Sequence, residues 1–93
     1  MIHSLATITG DGATHALSAS AVKASWVQIQ APSTNSAAVR VGDSNTSSTR
    51  GATVAAGGFQ FAPSHGNANM YDLNTIYYYA ETGDEIDVIY NTF

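Results

Sequence analysis

The feature that most restricts the fold is a dense run of β-branched and aromatic residues in the last third of the chain, residues 71–90. Such residues fit the pleated, half-buried surface of a β-sheet. The polar stretch 81–84 interrupts the run, and Gly83 within it can adopt the positive φ that a tight turn needs. We therefore predict two strands joined by a turn. Because a two-stranded hairpin is marginal by itself, the rest of the chain must supply further strands.

The register of this hairpin decides which tyrosines are buried. A four-residue loop turns Tyr77 and Tyr79 toward the core, whereas a three-residue loop over 81–83 turns Ile76 and Tyr78 inward. The second pair is the more apolar, and a glycine suits the left-handed position that closes three-residue loops. The sequence thus favours burial of Ile76 and Tyr78.

The rest of the chain shows the same pattern in shorter runs, with turn residues about every ten positions. Asp11 and Gly12, between the strand-like runs 2–9 and 13–19, indicate a hairpin. In 25–31, Val27 and Ile29 share one face of a strand. Further runs are 37–41, 52–56 and 59–61, whereas 44–49 is either an edge strand or a surface loop.

No helical period occurs anywhere in these runs, and about eight short strands result. We predict an all-β chain that forms one domain over residues 1–93. Its expected architecture is a small antiparallel β-sandwich of jelly-roll type.

Charge and composition restrict the expected partners. Three Lys and Arg residues against seven Asp and Glu residues give a net charge of −4, so attraction to phosphate is weak. Neither nucleic acid nor an anionic membrane surface is therefore expected as a partner. No apolar stretch approaches the length of a membrane-spanning helix, and the first residues do not read as a secretory leader. The chain contains no cysteine, which excludes disulfides and thiolate metal sites.

Metal, cofactor and catalytic sites are not predicted. Pairing the first hairpin about Asp11 separates His3 and His15 by about four positions, on the order of 13 Å, too far for one ion, and His65 lies in a loop. The carboxylates of 81–87 lack the spacing of a calcium loop and are interpreted as solvated turn charges. No nucleophile elbow, Ser/His/Asp arrangement or phosphate loop is present, so we expect no cofactor and no enzymatic activity.

The aromatic residues are the remaining candidates for a functional surface. Trp26 and the tyrosines, of which Tyr77 and Tyr79 share a face, suit either a sugar-stacking platform or a core and subunit contact. The second interpretation is favoured, because tyrosine and tryptophan are large, half-apolar residues that interfaces enrich.

A resemblance to a known class of proteins covers about residues 25–90. It depends on the order of strands and turn residues in five segments, which are Val39-Arg40-Val41-Gly42-Asp43, Ser48-Thr49-Arg50-Gly51, Val54-Ala55-Ala56-Gly57-Gly58-Phe59-Gln60-Phe61, Tyr71-Asp72-Leu73-Asn74-Thr75-Ile76-Tyr77 and Gly83-Asp84-Glu85-Ile86-Asp87-Val88. In this order of strands and turn residues the chain resembles small virion proteins of tailed bacteriophages, in particular capsid decoration (cement) and head-fibre proteins.

The resemblance implies a homotrimeric β-sandwich that is made in the host cytoplasm. It would sit on the outer capsid surface of the virion, where it clamps neighbouring copies of the major capsid protein. Modest contacts repeated over a shell add by multivalency. Trimerisation would also remove aromatic surface from water in a small domain without disulfides. We expect the threefold contact to use Trp26 or Tyr77 and Tyr79, with the polar loops 33–36 and 63–69 free to touch neighbours.

Arg40 and Arg50, two of the three cations, are candidates for contacting an acidic patch on the capsid. The alternative is that they pair with Asp43 or Asp72 within the subunit. The alternative function is a glycan- or receptor-binding module of a phage fibre or tail, which would use Trp26 or the tyrosine face.

Overall fold

The computed structural model describes residues 1–93 as eleven short strands without a helix. The strands are β1 (Ile2–Ser4), β2 (Ile8–Thr9), β3 (Thr14–Ala16), β4 (Lys23–Ala24), β5 (Trp26–Gln30), β6 (Val39–Gly42), β7 (Ala52–Val54), β8 (Phe59–Ala62), β9 (Tyr71–Asp72), β10 (Tyr77–Tyr79) and β11 (Glu85–Asn91). Every pairing between them is antiparallel. No helix that could cross a membrane is present.

The strands form two main sheets, and the core lies between them. The first sheet has the order β1–β11–β5–β8, and β2 also pairs with β11. The second has the order β3–β10–β6–β7, while β4 and β9 form a separate pair. The amide of Leu5 donates to the carbonyl of Val88 between β1 and β2, so these two strands make one interrupted edge. Eight strands in two sheets of this order are a jelly roll, which confirms the predicted all-β sandwich.

The topology is that of one long antiparallel ribbon folded over on itself. In six of the eight strand pairings, a residue of the N-terminal half pairs with a residue about as far from the C-terminus as it lies from the N-terminus. Examples are the pairs Ile2 with Asn91, Ala16 with Tyr77, Lys23 with Asp72 and Val39 with Val54. The other two pairings, β5 with β11 and β6 with β10, join parts of the folded ribbon side by side. The tip of the ribbon is the loop 43–51. Residues 44–49 are therefore a surface loop rather than an edge strand.

The two hairpins predicted from local turn signals are wrong. At 81–84 the amide of Asp84 closes a turn onto the carbonyl of Glu81 at 3.0 Å, but β10 and β11 belong to different sheets. At 10–12 the chain likewise passes from β2 in the first sheet to β3 in the second. A tight turn followed by a strand fixes a bend, whereas the partner of each strand is set by which faces can be buried together. These two turns are crossovers between the sheets.

The core confirms the inward face predicted for β10. Tyr78 is buried among the side chains between the sheets, and Ile76 packs partly buried against the same cluster. Tyr77 and Tyr79 are half-buried on the outer face of the second sheet. The alternation along β10 was therefore interpreted correctly, although the hairpin register from which it was argued does not exist. The buried cluster comprises Leu17, Ala24, Val27, Ile29, Ala31, Val39, Val41, Val54, Leu73, Tyr78, Ala80, Ile86 and Val88.

Candidate interaction surfaces

The outer face of the first sheet carries an aromatic patch, defined by Trp26, Phe59 and Phe61. In β5, Val27 and Ile29 point into the core, so Trp26 points outward. In the neighbouring strand β8, Phe59 and Phe61 are 65% and 42% exposed. The rings of Trp26 and Phe61 have centroids 5.6 Å apart and planes tilted by 43°. This tilt makes a ridged apolar surface rather than a flat one.

The surroundings of the aromatic patch are neutral. Gln28 lies opposite Phe61, and Gln30 lies opposite Phe59. On the next strand, Asp87 lies opposite Gln30 and accepts a 2.6 Å hydrogen bond from the hydroxyl of Thr7. A partner that contacts the three rings therefore displaces water from apolar surface and from the neutral amides beside it.

An apolar cavity opens beside the patch, on the inner side of β8. Its volume is about 230 Å³. Six of its eight lining residues are hydrophobic, namely Val27, Ile29, Val41, Ala62, Tyr71 and Ile76. The hydroxyl of Tyr71 donates to the carbonyl of Pro63 at 2.8 Å, so the one polar atom of this ring already has a partner. The cavity marks a place where the two sheets do not fill the space between them.

The outer face of the second sheet carries Tyr77 and Tyr79, with Arg40 directly opposite Tyr79. The loop after β6 folds back onto this face. Thr46 is 4% exposed, and its carbonyl accepts a 2.7 Å hydrogen bond from the hydroxyl of Thr14. The rings of these tyrosines are therefore less exposed than the phenylalanines of the aromatic patch. Trp26 and the two tyrosines lie on opposite faces of the sandwich and cannot share one contact surface.

The two candidate arginines are not paired with carboxylates. The guanidinium of Arg40 donates to the carbonyl of Gly51 at 3.1 Å, and the side chain of Arg50 is exposed with no hydrogen bond or ion pair. Asp72 instead binds the ammonium of Lys23 at 3.0 Å. The intrasubunit pairing with Asp43 or Asp72 therefore does not occur. The amide of Asn74 and the Lys23 ammonium hold the pKa of Asp72 below its usual value.

Asp84 was interpreted as a solvated turn charge, and that interpretation is wrong. The residue is 6% exposed. Its carboxylate accepts the amides of Ser36 and Ala37 at 2.8 and 3.1 Å and the hydroxyl of Ser36 at 3.0 Å. These donors, of which the Ser36 amide has the largest effect, lower the pKa of Asp84. The carboxylate thus fastens the loop before β6 to the turn before β11.

A second side chain in the same loop mimics a β-strand partner. The amide group of Asn35 donates to the carbonyl of Glu85 at 2.8 Å, and its oxygen accepts the amide of Glu85 at 2.8 Å. Gly10 adds its own backbone bonds, one to the carbonyl of Asp84 and one from the amide of Gly83. The role of these contacts is structural. We call residues 10–12, 35–37 and 81–85 the crossover corner.

The histidines lie in separate places, but not in the predicted register. His3 pairs with Tyr90 in the first sheet, and the two rings stack at 5.0 Å. His15 lies opposite Tyr78 in the second sheet and contacts the carboxylate of Asp11 at 2.8 Å. The structure contains no group of three or more histidine and carboxylate side chains that could hold a metal ion.

The sequence interpretation missed the phenylalanines of the aromatic patch. The alternation Phe59-Gln60-Phe61-Ala62 gives two faces correctly, but the more apolar face of a strand is normally assigned to the core. Here Gln60 and Ala62 point inward and the phenylalanines outward. Only the pairing of β8 at the edge of the first sheet reveals this, and no local signal could have replaced it.

Comparisons with known proteins found no relative of the chain. No protein-family model, no curated protein and no solved structure matches it.

Proposed function

We propose that the protein is a structural component of a bacteriophage virion, a capsid decoration (cement) protein that binds the outer capsid surface as a homotrimer. The observation that carries this proposal is the aromatic patch, which leaves Phe59 and Phe61 exposed on a sheet face. Contiguous exposed apolar surface of this kind is typical of interaction sites. Its removal from water stabilises an assembly by about 25 cal/mol per Å² of apolar area.

The composition and the order of strands and turn residues support the same assignment. Only 11% of the residues are charged, so the exterior is largely neutral and polar. A protein that binds a shell at many symmetric points needs only modest affinity at each point. Residues 25–90 resemble decoration and head-fibre proteins. This resemblance indicates a phage capsid as the shell and the major capsid protein as the partner.

We assign different contacts to the two outer faces. The aromatic patch, which contains Trp26, forms the threefold contact between subunits. The opposite face, with Tyr77, Tyr79 and Arg40, and the nearby loop that carries Arg50 face the capsid. Arg50 suits this role because its side chain has no partner within the subunit and can pair with a carboxylate of the shell.

Two measurements test this function. Light scattering of the purified chain at micromolar concentration should give three times the 9.7 kDa mass of the chain. Added to expanded capsids of the same phage, the protein should co-sediment with them and raise their disruption temperature, and Arg50→Ala should weaken this binding without dissociating the trimer. A monodisperse monomer that does not bind capsids would overturn the proposal.

A glycan- or receptor-binding module of a phage fibre or tail is the second candidate. Trp26 is half-exposed beside Gln28, and an aromatic ring flanked by amides is a usual sugar contact. We rank the glycan-binding candidate second because the rings of Trp26 and Phe61 are tilted by 43° and do not form one flat stacking surface. Titration with mono- and oligosaccharides, followed by the emission of the single tryptophan, separates the candidates. A saturable response to a sugar favours this module.

A further inference from the structure

A ring of three identical subunits requires two different surfaces on each subunit. In a twofold dimer one patch meets its own copy, whereas in a threefold ring one surface of each subunit meets another surface of the next. The inference below rests on the proposed homotrimer and asks which two surfaces meet. The chain must then carry a projecting apolar group and a recess that accepts it.

Phe59 is the projecting group. Its side chain is 65% exposed on the outer side of β8, and it makes no aromatic contact within the subunit. Phe61, by contrast, leans on Trp26 and is less exposed. The position opposite Phe59 is Gln30, so no charge in the neighbouring strand opposes insertion of this ring into an apolar site.

The cavity on the inner side of β8 is the recess. Its volume of about 230 Å³ exceeds the roughly 150 Å³ of an apolar cavity known to bind benzene, so the space is large enough for a phenyl ring. Val41 and Ile76 form part of its wall, and no charged side chain lines it. Ala62 contributes only a methyl group where a larger side chain would fill the space.

We propose that Phe59 of each subunit inserts into the cavity between the sheets of the next subunit. The occupant of the cavity is thus a second copy of this chain. Three observations favour this occupant: the recess is lined almost entirely by apolar atoms, its size suits the ring, and both elements are uncharged in a protein of net charge −4. Neither the Phe59 ring nor the lining of the cavity carries a charge. Their contact therefore avoids the electrostatic repulsion between two acidic subunits that opposes self-association elsewhere on the surface.

Complementation between two variants tests the proposal. Phe59→Ser removes the projecting ring and leaves the cavity intact, whereas Ala62→Leu fills the cavity and leaves the ring intact. Each variant alone should be monomeric at concentrations where the wild type is a trimer, with self-association weakened roughly tenfold or more. A one-to-one mixture should form a heterodimer and nothing larger, because only one productive contact can then be made. Formation of the heterodimer also shows that both variants are folded.

Two matched controls guard the interpretation. Phe93→Ser removes an equally exposed phenylalanine, 66% against 65%, from outside the patch, and Ala19→Leu enlarges an exposed alanine that does not line the cavity. Both should remain trimers.

The possible results separate this inference from the proposed function. A wild-type monomer would overturn the homotrimer and the inference with it. Trimers of Ala62→Leu, or single variants that are monomeric but do not complement one another, would overturn the inference alone and would leave the homotrimer to another contact.

Discussion

The crossover corner and the β8 edge both border the same core, and they differ in how their groups are satisfied. At the corner, Asp84 and Asn35 satisfy the backbone groups of two loops, and Gly10 lets the turns touch. At the β8 edge, two phenylalanines stand exposed and an apolar cavity is left open. The corner is closed from within the subunit. The edge exposes the apolar surface that we propose as the contact between subunits.

The difference separates groups that are satisfied within the subunit from groups that are not. No buried side-chain nitrogen or oxygen in the protein lacks a hydrogen-bond partner, so the buried polar groups all contribute to the architecture of the subunit. Some large apolar side chains, by contrast, remain exposed to solvent. Substitutions at the corner should therefore change the stability of the subunit, whereas substitutions at the β8 edge should change its association.

The largest effect is expected for Tyr78→Ala. Tyr78 is 6% exposed and packs beside the corner, with its ring 6.0 Å from that of His15, so its removal leaves a cavity in the core. The free energy of unfolding should fall by about 3–5 kcal/mol. Tyr77→Ala, on the outer face of the same strand, should cost far less. Urea denaturation of both variants measures the difference, and equal losses would show that the inward face of β10 is assigned incorrectly.

Gly10→Ala should be the next most damaging change. A β-carbon at this position would lie 2.6 Å from the carbonyl oxygen of Glu81 and 2.6 Å from the β-carbon of Ala80. The two crossovers would have to move apart, at a cost of about 1–3 kcal/mol in the free energy of unfolding. Gly66→Ala is the contrasting variant, because nothing lies within 4 Å of that position, although its positive φ adds some strain of its own. If Gly10→Ala is as stable as the wild type, the corner is looser than described.

Asp84→Asn should lower the thermal midpoint at neutral pH and weaken its acid dependence. The hydrogen bonds of Asp84 stabilise the ionised carboxylate and lower its pKa in the folded state. The stabilisation is therefore present above the pKa of the unfolded chain, about 3.9, and is lost as the pH falls through the lower folded value. The midpoints of the variant and the wild type should converge at low pH.

Glu81→Gln is the control for this change. Glu81 lies in the same turn, but its side chain is exposed and makes no hydrogen bond or ion pair. The thermal midpoints of Glu81→Gln and the wild type should change with pH in the same way between pH 7 and pH 3. A constant difference between Asp84→Asn and the wild type over that range would contradict the role given to the Asp84 carboxylate.

The smallest effects on subunit stability are expected at the β8 edge. Phe59→Ser and Ala62→Leu should change the free energy of unfolding of the monomer by no more than about 0.5 kcal/mol, since neither removes a buried contact. Denaturation below the concentration at which the chain associates measures this. A large loss for Phe59→Ser in the monomer would mean that the aromatic patch is part of the core, and the contrast between corner and edge would fail.

The sequence by itself determined the elements and the faces of most of them. Period-two alternation predicted a strand with Val27 and Ile29 inward and another with Tyr78 inward, and the turn residues predicted where the chain bends. These properties are local, because the direction of a side chain in a strand depends only on its parity. The all-β class and the jelly-roll type followed from the number and spacing of the strands.

Only the tertiary structure decided which strands are neighbours. The two predicted hairpins became crossovers because β11 pairs with β1, β2 and β5, and β10 with β3 and β6, all far away in the sequence. Those long-range pairings buried Asp84 at the corner and turned Phe59 outward at an edge. Parity assigns a residue to one of two faces, but which face meets the core depends on partners that a local pattern does not contain.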